Sequence, residues 1–154
     1  MDHKYYATIE WTGNRGTGTS GYTDYDRSHT ISVENKMDIA ASADPHFRGD
    51  PGKYNPEDMF LTSIASCHML WYLHLCADNG IIVERYTDKP FGLMQTETGG
   101  SGQFSKIELH PAVTITDKGK AELAASLHHK AHEMCFLSRS VNFEITVHPE
   151  ISNS

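Results

Sequence analysis

The chain is poor in cysteine, with three in 154 residues. An odd number at long spacings excludes the disulfide framework of a small secreted domain, and leaves catalysis, metal binding or plain packing as roles for each thiol. It is also short of positive charge: 13 Lys and Arg against 20 Asp and Glu give a formal net charge of −7 with neutral His. That balance works against a nucleic-acid surface and against docking on an anionic membrane. The opening MDHKYYATIEW has no apolar core and no cleavage site of a secretory leader, so a cytoplasmic location is expected. Internal repeats, low-complexity segments and the tight CxxC, HxH or HExxH pairs of dedicated metal sites are all missing. The length, with 38% hydrophobic residues, fits a single domain over residues 1–154.

What the chain does have is one long apolar stretch, NPEDMFLTSIASCHMLWYLHLCADNG, from Asn55 to Gly80. Asn55 is a good N-cap, Pro56 suits the first helical position, and Glu57 and Asp58 place negative charge at the positive end of the helix dipole. Gly80 is placed to take the left-handed conformation that closes helices. The stretch therefore predicts one helix of roughly seven turns. Because it is apolar on every face, it is expected to be buried on every face, with the rest of the chain wrapped around it. Thr62, Ser63, Ser66, His68 and His74 interrupt the run and no Lys or Arg flanks it, which argues against a membrane span.

Around that helix the pattern is mostly strand. Tyr5, Ala7, Ile9 and Trp11 alternate with polar residues, and Ile31 to Ile39 reads as a hairpin about Glu34-Asn35-Lys36. Gly13, Gly16, Gly18 and Gly21 lie between them in an order that does not match a dinucleotide fingerprint, so they mark turns and imply no nucleotide cofactor. After Gly80 the segments IIVERYTD, FGLMQTET, FSKIELH and AVTIT predict an antiparallel meander. Leu123, Leu127, Ala131 and Met134 then recur at helical spacing, predicting a second helix to about Phe136. Val141, Phe143, Ile145 and Val147 predict a last strand, with a loose tail beyond His148. The order is that of an α+β fold, two helices against curved sheet.

Each predicted helix carries a cysteine, Cys67 midway along the first and Cys135 at the end of the second. Cys76 lies nine residues beyond Cys67, on the opposite side of the same helix, and is assigned to packing. His128, His132 and Cys135 are spaced by four and three, so they share a helix face as metal ligands would, with Cys67 or His68 as a fourth. A metal-binding or small-molecule-binding module using these residues is thus the alternative to thiol catalysis.

The segment NPEDMFLTSIASCH, followed about seventy residues later by AHEMCFLSRS, resembles the two cysteine motifs of the OsmC/Ohr family of thiol-dependent peroxidases. The resemblance extends over most of the chain. It implies an OsmC-like fold, an intertwined homodimer with its long helices between wrapped sheets, and reduction of organic hydroperoxides without a cofactor. It also implies roles: Cys67 as the peroxidatic residue, Cys135 as the resolving one, Glu57 as the active-site carboxylate, and Arg15, in WTGNRGTGT, as the family's arginine, with Arg27 as the alternative. The family often has Phe after the first Cys and Pro after the second, where this chain has His68 and Phe136.

The chemistry implied makes physical demands. Cleaving a peroxide O–O bond needs a thiolate, and an ordinary thiol with a pKa of about 8.5 is only about 3% ionised at pH 7. A guanidinium held by Glu57 would lower that pKa and stabilise charge on the leaving oxygen. A resolving thiol then traps the sulfenic acid as a disulfide, which an external dithiol or thiol must reduce.

Overall fold

The computed structural model describes residues 1–154, which divide into two compact units, Met1–Met59 and Phe60–Ser154. The first holds three antiparallel strands, β1 (Thr8–Trp11), β2 (His29–Ser32) and β3 (Ile39–Ala41), in the order β1-β2-β3. Ile9, Ile31 and Ile39 stand in one row across this sheet. The hairpin turn between β2 and β3 places Asn35 at φ +63°, a conformation that Asn tolerates better than most residues. In the glycine-rich loop, Asn14 Oδ1 accepts hydrogen bonds from the backbone N–H groups of Gly16 and Gly18, both at 2.9 Å, so the loop is a side-chain-braced turn.

Helix α1 (Pro56–Asp78) begins as the sequence predicts. The Asp58 N–H donates to Asn55 Oδ1 at 2.8 Å and the Asn55 N–H donates to Asp58 Oδ2 at 3.3 Å, a reciprocal cap that satisfies two otherwise orphaned donors. At the other end Gly80 adopts φ +65° and its carbonyl accepts from Lys120 Nζ at 2.6 Å.

The expectation that α1 is buried on every face is not met. Ile64, Ala65, His68, Tyr72 and Cys76 are buried, the ridge expected of residues three and four apart. On the opposite side Ser63, Ser66, Leu70 and His74 are exposed, with Leu70 62% accessible. By length and composition α1 is apolar enough to cross a membrane, with 28% of its 18-residue window buried. Its buried ridge, however, is occupied by the protein's own core. The chain covers only one side of the helix.

In the second unit, β4 (Val83–Asp88) pairs antiparallel with β7 (Pro111–Ile115), and β5 (Phe91–Thr96) with β6 (Gly102–Leu109). These four strands are the two arms of one long hairpin folded at a corner, not the predicted meander. The corner falls at Pro90 and Pro111, neither of which can donate to a ladder. Asp88 Oδ1 closes it by accepting from the His110 N–H at 2.7 Å. The last strands depart further from expectation: β8 (Glu144–Val147) runs parallel to β6, and the tail expected to be loose forms β9 (Glu150–Asn153), parallel to β7. The sheets are therefore mixed.

Helix α2 (Ala121–Met134) stops two residues short of the predicted end, because Cys135 turns to φ −68°, ψ 114°. Its buried stripe is Ala124, Leu127, His128 and Ala131. Two clusters form the core. Tyr72, Cys76, Ile81, Val113, Ile115, Ala124, Leu127 and Ala131 join α1 to α2 and β7, while Ile64, Ala65, Ile107, Leu109 and Ile145 join α1 to β6 and β8. Cys76 sits in the first, as its assignment to packing requires.

Candidate active site

Successive α-helical residues are rotated by about 100°, so Cys67 lies on the flank of the buried ridge, one step from His68. Cys135 lies four residues beyond Ala131 and continues the buried stripe of α2 past the helix end. The helices run antiparallel, and the two cysteines are neighbours: Cys135 acts directly on the Cys67 thiol, and both thiols are free. Cys67 is half-buried whereas Cys135 is fully buried, so Cys67 is the sulfur that solvent reaches.

Burial is the main influence on the Cys67 thiol and pushes its pKa up, with the neighbouring Cys135 adding to the rise. The backbone N–H groups of Leu137 and Phe136 oppose the rise. The Ser138 N–H donates to Cys135 Sγ at 3.4 Å. The turn after α2 thus sets a backbone donor on Cys135 and favours the charged form of Cys67. Sequence reasoning missed these donors, since backbone N–H groups carry no signature in residue type; the stop in helical periodicity at Cys135 is the one trace of them.

A second pair stacks beside the first. His68 Nε2 and His128 Nδ1 are 3.0 Å apart, and the two rings lie nearly parallel with centroids 5.3 Å apart. His128 also stacks on Tyr72, centroids 3.8 Å apart, and the Tyr72 hydroxyl donates to the Ala124 carbonyl at 3.0 Å. Burial pushes the pKa of His68 down to about 4, with His132 adding to the effect, and that of His128 down to about 3, with His68 adding. Both rings are therefore neutral at pH 7. His68 Nδ1 and His128 Nε2 have no hydrogen-bond partner.

The residues proposed for a metal or small-molecule module are sorted by this arrangement into two pairs, Cys67 with Cys135 and His68 with His128. His132 is half-buried with its Nδ1 unpartnered. No three His, Cys, Asp or Glu side chains converge as metal ligands would. The shared helix face read from the spacing of His128, His132 and Cys135 is correct as periodicity, but α1 supplies each of His128 and Cys135 with a separate neighbour.

The remaining candidates lie in the first unit. Arg15 donates from Nη2 to the Thr23 carbonyl and lies with Nε 3.7 Å from Asp26 Oδ1, its side chain half exposed. Arg27 is held more firmly: its guanidinium donates to the carbonyls of Tyr25 and Tyr22, both at 2.7 Å, and stacks over the Tyr25 ring at 3.9 Å. Glu57 is half-buried in the first turn of α1, and its Oε2 has no partner. Ten residues of helix separate Glu57 from Cys67, about 15 Å along the axis.

Two antiparallel helices that bring two free thiols together against mixed sheets define an α+β protein with a paired-cysteine site. Residues 49–150 match the family model of OsmC-like proteins, and the chain belongs to the OsmC/Ohr family. An OsmC-like protein of unknown function from Vibrio cholerae is 31% identical, with a TM-score of 0.83 over 96% of this chain and 99% of that one. The same fold is found at lower identity in two organic hydroperoxide resistance proteins. That from Legionella pneumophila is 17% identical, with a TM-score of 0.66 over 97% of each chain. That from Bacillus subtilis is 17% identical, with a TM-score of 0.62 over 97% of this chain and 98% of that one. No functionally curated protein matches the chain.

Proposed function

We propose that the protein is a two-cysteine peroxidase that reduces organic hydroperoxides. The observation that carries this reading is that Cys67 and Cys135, both free, are neighbours, one half-exposed and the other fully buried. The Cys67 thiolate attacks one oxygen of ROOH; the O–O bond breaks, RO⁻ leaves and takes up a proton as the alcohol, and Cys67 is left as a sulfenic acid. The Cys135 thiol displaces that hydroxyl as water, forming a disulfide. A dithiol outside the protein restores both thiols and is itself oxidised.

The working enzyme is proposed to be a cytoplasmic homodimer with no cofactor, no nucleic-acid partner and no membrane attachment. The exposed Leu70 on the uncovered side of α1 supports the dimer. So does the state of Cys67, whose thiol is pushed up by burial in the chain on its own although the reaction needs it ionised. A cation must offset that burial. Glu57 is too far along α1 to hold one beside Cys67 of the same helix, so Glu57 of the partner subunit is proposed to hold it. Arg15 is the proposed cation, because its side chain is half exposed with one loose carboxylate neighbour, whereas Arg27 is fixed by two carbonyls and two tyrosines.

The test is a peptide map after brief exposure to an organic hydroperoxide and trapping of free thiols. It should show a Cys67–Cys135 disulfide with Cys76 still reduced. A disulfide through Cys76, or none at all, would contradict the assignment.

A further inference from the structure

The segment AHEMCFLSRS carries an arginine that the chemistry above does not use. Arg139 lies in the short 3₁₀ turn Ser138–Ser140, where its N–H donates to the Cys135 carbonyl at 3.1 Å. Its side chain is exposed, and no acidic residue pairs with it, whereas Arg15 has Asp26 at 3.7 Å. An exposed arginine is ordinarily just solvated. This one lines a cavity of about 520 Å³ together with Phe60, Ser140, Val141, Asn142 and Phe143. The apolar wall is preformed: Phe60 meets Phe143 edge-on with centroids 6.1 Å apart, and Phe60, Val141 and Phe143 all pack on the core cluster of Ile64, Ile107 and Ile145. No acidic side chain lines the cavity. Rigid apolar walls with a few polar groups are the form of a small-molecule site.

Its place relative to the thiols gives it a use. Phe60 precedes Cys67 by seven residues, so the two lie on one face of α1, about 10 Å apart along its axis. Arg139 follows Cys135 by four. The cavity is thus bounded by the two elements that carry the thiols, displaced from Cys67 toward the start of α1. Arg139 is not among the groups that act on the Cys67 thiol, which are Cys135 and the backbone of residues 136 and 137. Its charge is left for something else.

We propose that this cavity is a specificity subsite in which Arg139 pairs with a carboxylate on the substrate, while Phe60, Val141 and Phe143 cover the apolar chain joining that carboxylate to the hydroperoxide at Cys67. A guanidinium presents a planar fork of N–H donors that matches the two oxygens of a carboxylate. With a net charge of −7 the protein otherwise repels anions, so a local cation decides which of them is held. The preferred substrate is an anionic hydroperoxide whose carboxylate lies about two helical turns from the reacting oxygen.

This inference rests on the peroxidase reading, and one of its two tests needs no peroxide. In the first, the reduced protein is titrated with octanoate and with 1-octanol while the amide resonances of Arg139, Val141 and Phe143 are followed. Octanoate should bind the wild type about fivefold more tightly than the alcohol, the upper end for an ion pair that water still reaches. Arg139→Gln should abolish that difference and Arg139→Lys should keep part of it. In the second, kcat/KM is measured for an aliphatic hydroperoxide bearing a terminal carboxylate and for its methyl ester. The acid should be favoured about fivefold by the wild type, and the preference should vanish in Arg139→Gln with turnover of the ester unchanged. An acid-to-ester ratio that is the same in wild type and Arg139→Gln would overturn the proposal and leave the peroxidase reading intact. A wild type that consumes neither compound would instead overturn the peroxidase reading, and octanoate bound equally by wild type and Arg139→Gln would then overturn the subsite as well.

Discussion

His68 is buried beside Cys67 without being paired to it, and its energetics belong to the pair it forms with His128. The folded pKa values are pushed down by burial from 6.5 to about 4 for His68 and about 3 for His128. The unfolded chain protonates these residues near pH 6.5, so between that pH and about 4 it binds protons that the folded chain does not. Stability is therefore fully present above the unfolded value and is lost as the pH falls through this window. The slope is about 1.4 kcal/mol per pH unit for each imidazole, and less once the first proton on the pair opposes the second. Urea unfolding of the wild type should show its midpoint dropping from pH 7 to pH 5, with a much flatter dependence in the His68→Phe, His128→Phe double variant. An unchanged slope in that variant would show that other groups carry the acid sensitivity. Neither imidazole could be assigned a role from sequence, because a buried neutral histidine and a metal-ligating one have the same spacing; only the partner on the other helix separates them.

Among the elements, α1 was the most legible. Asn55, Pro56 and Gly80 fix its ends by rules that depend on neighbouring residues alone, and the structure places all three as expected. The strand segments were legible too, but their pairing was not. Val83 to Thr96 contains the alternation of two strands, while the corner at Pro90 and Pro111 that folds one long hairpin depends on contacts distant in sequence. The parallel additions of β8 and β9 are longer-range still, and β9 has only Ile151 as an apolar residue. Burial of α1 was the clear misreading. A largely apolar run shows that a helix is packed, but Thr62, Ser63, Ser66 and His74 are too few and too short a signal to show which side stays exposed. If a second copy covers the outer side, Leu70→Glu places a charge in that interface and leaves the inner ridge intact. Sedimentation should then find two 17.2 kDa chains together in the wild type and one in the variant, with the circular dichroism of α1 retained. A wild type that sediments as a single chain would remove the basis for a shared active site.

At the scale of the whole molecule, the fold brings together residues that sequence alone could only nominate. Cys67 and Cys135 are 68 positions apart, on helices that meet because Tyr72, Ala124, Leu127 and Ala131 bury their stripes together. The motifs identified both cysteines, and the packing accounts for their contact. Arg15 and Glu57 are nominated only by the resemblance, since an arginine on a loop and a glutamate in a first helical turn are ordinary by themselves. The central claim is that this contact is an engine for reducing peroxide through Cys67. It is tested most directly by following consumption of an organic hydroperoxide in the presence of a dithiol, with hydrogen peroxide in parallel, for the wild type and for Cys67→Ser. The account predicts catalytic consumption of the organic hydroperoxide by the wild type, with one alcohol formed per dithiol oxidised, and none by Cys67→Ser, whose hydroxyl is scarcely ionised near neutral pH. Undiminished consumption by Cys67→Ser, or none by the wild type, would contradict it.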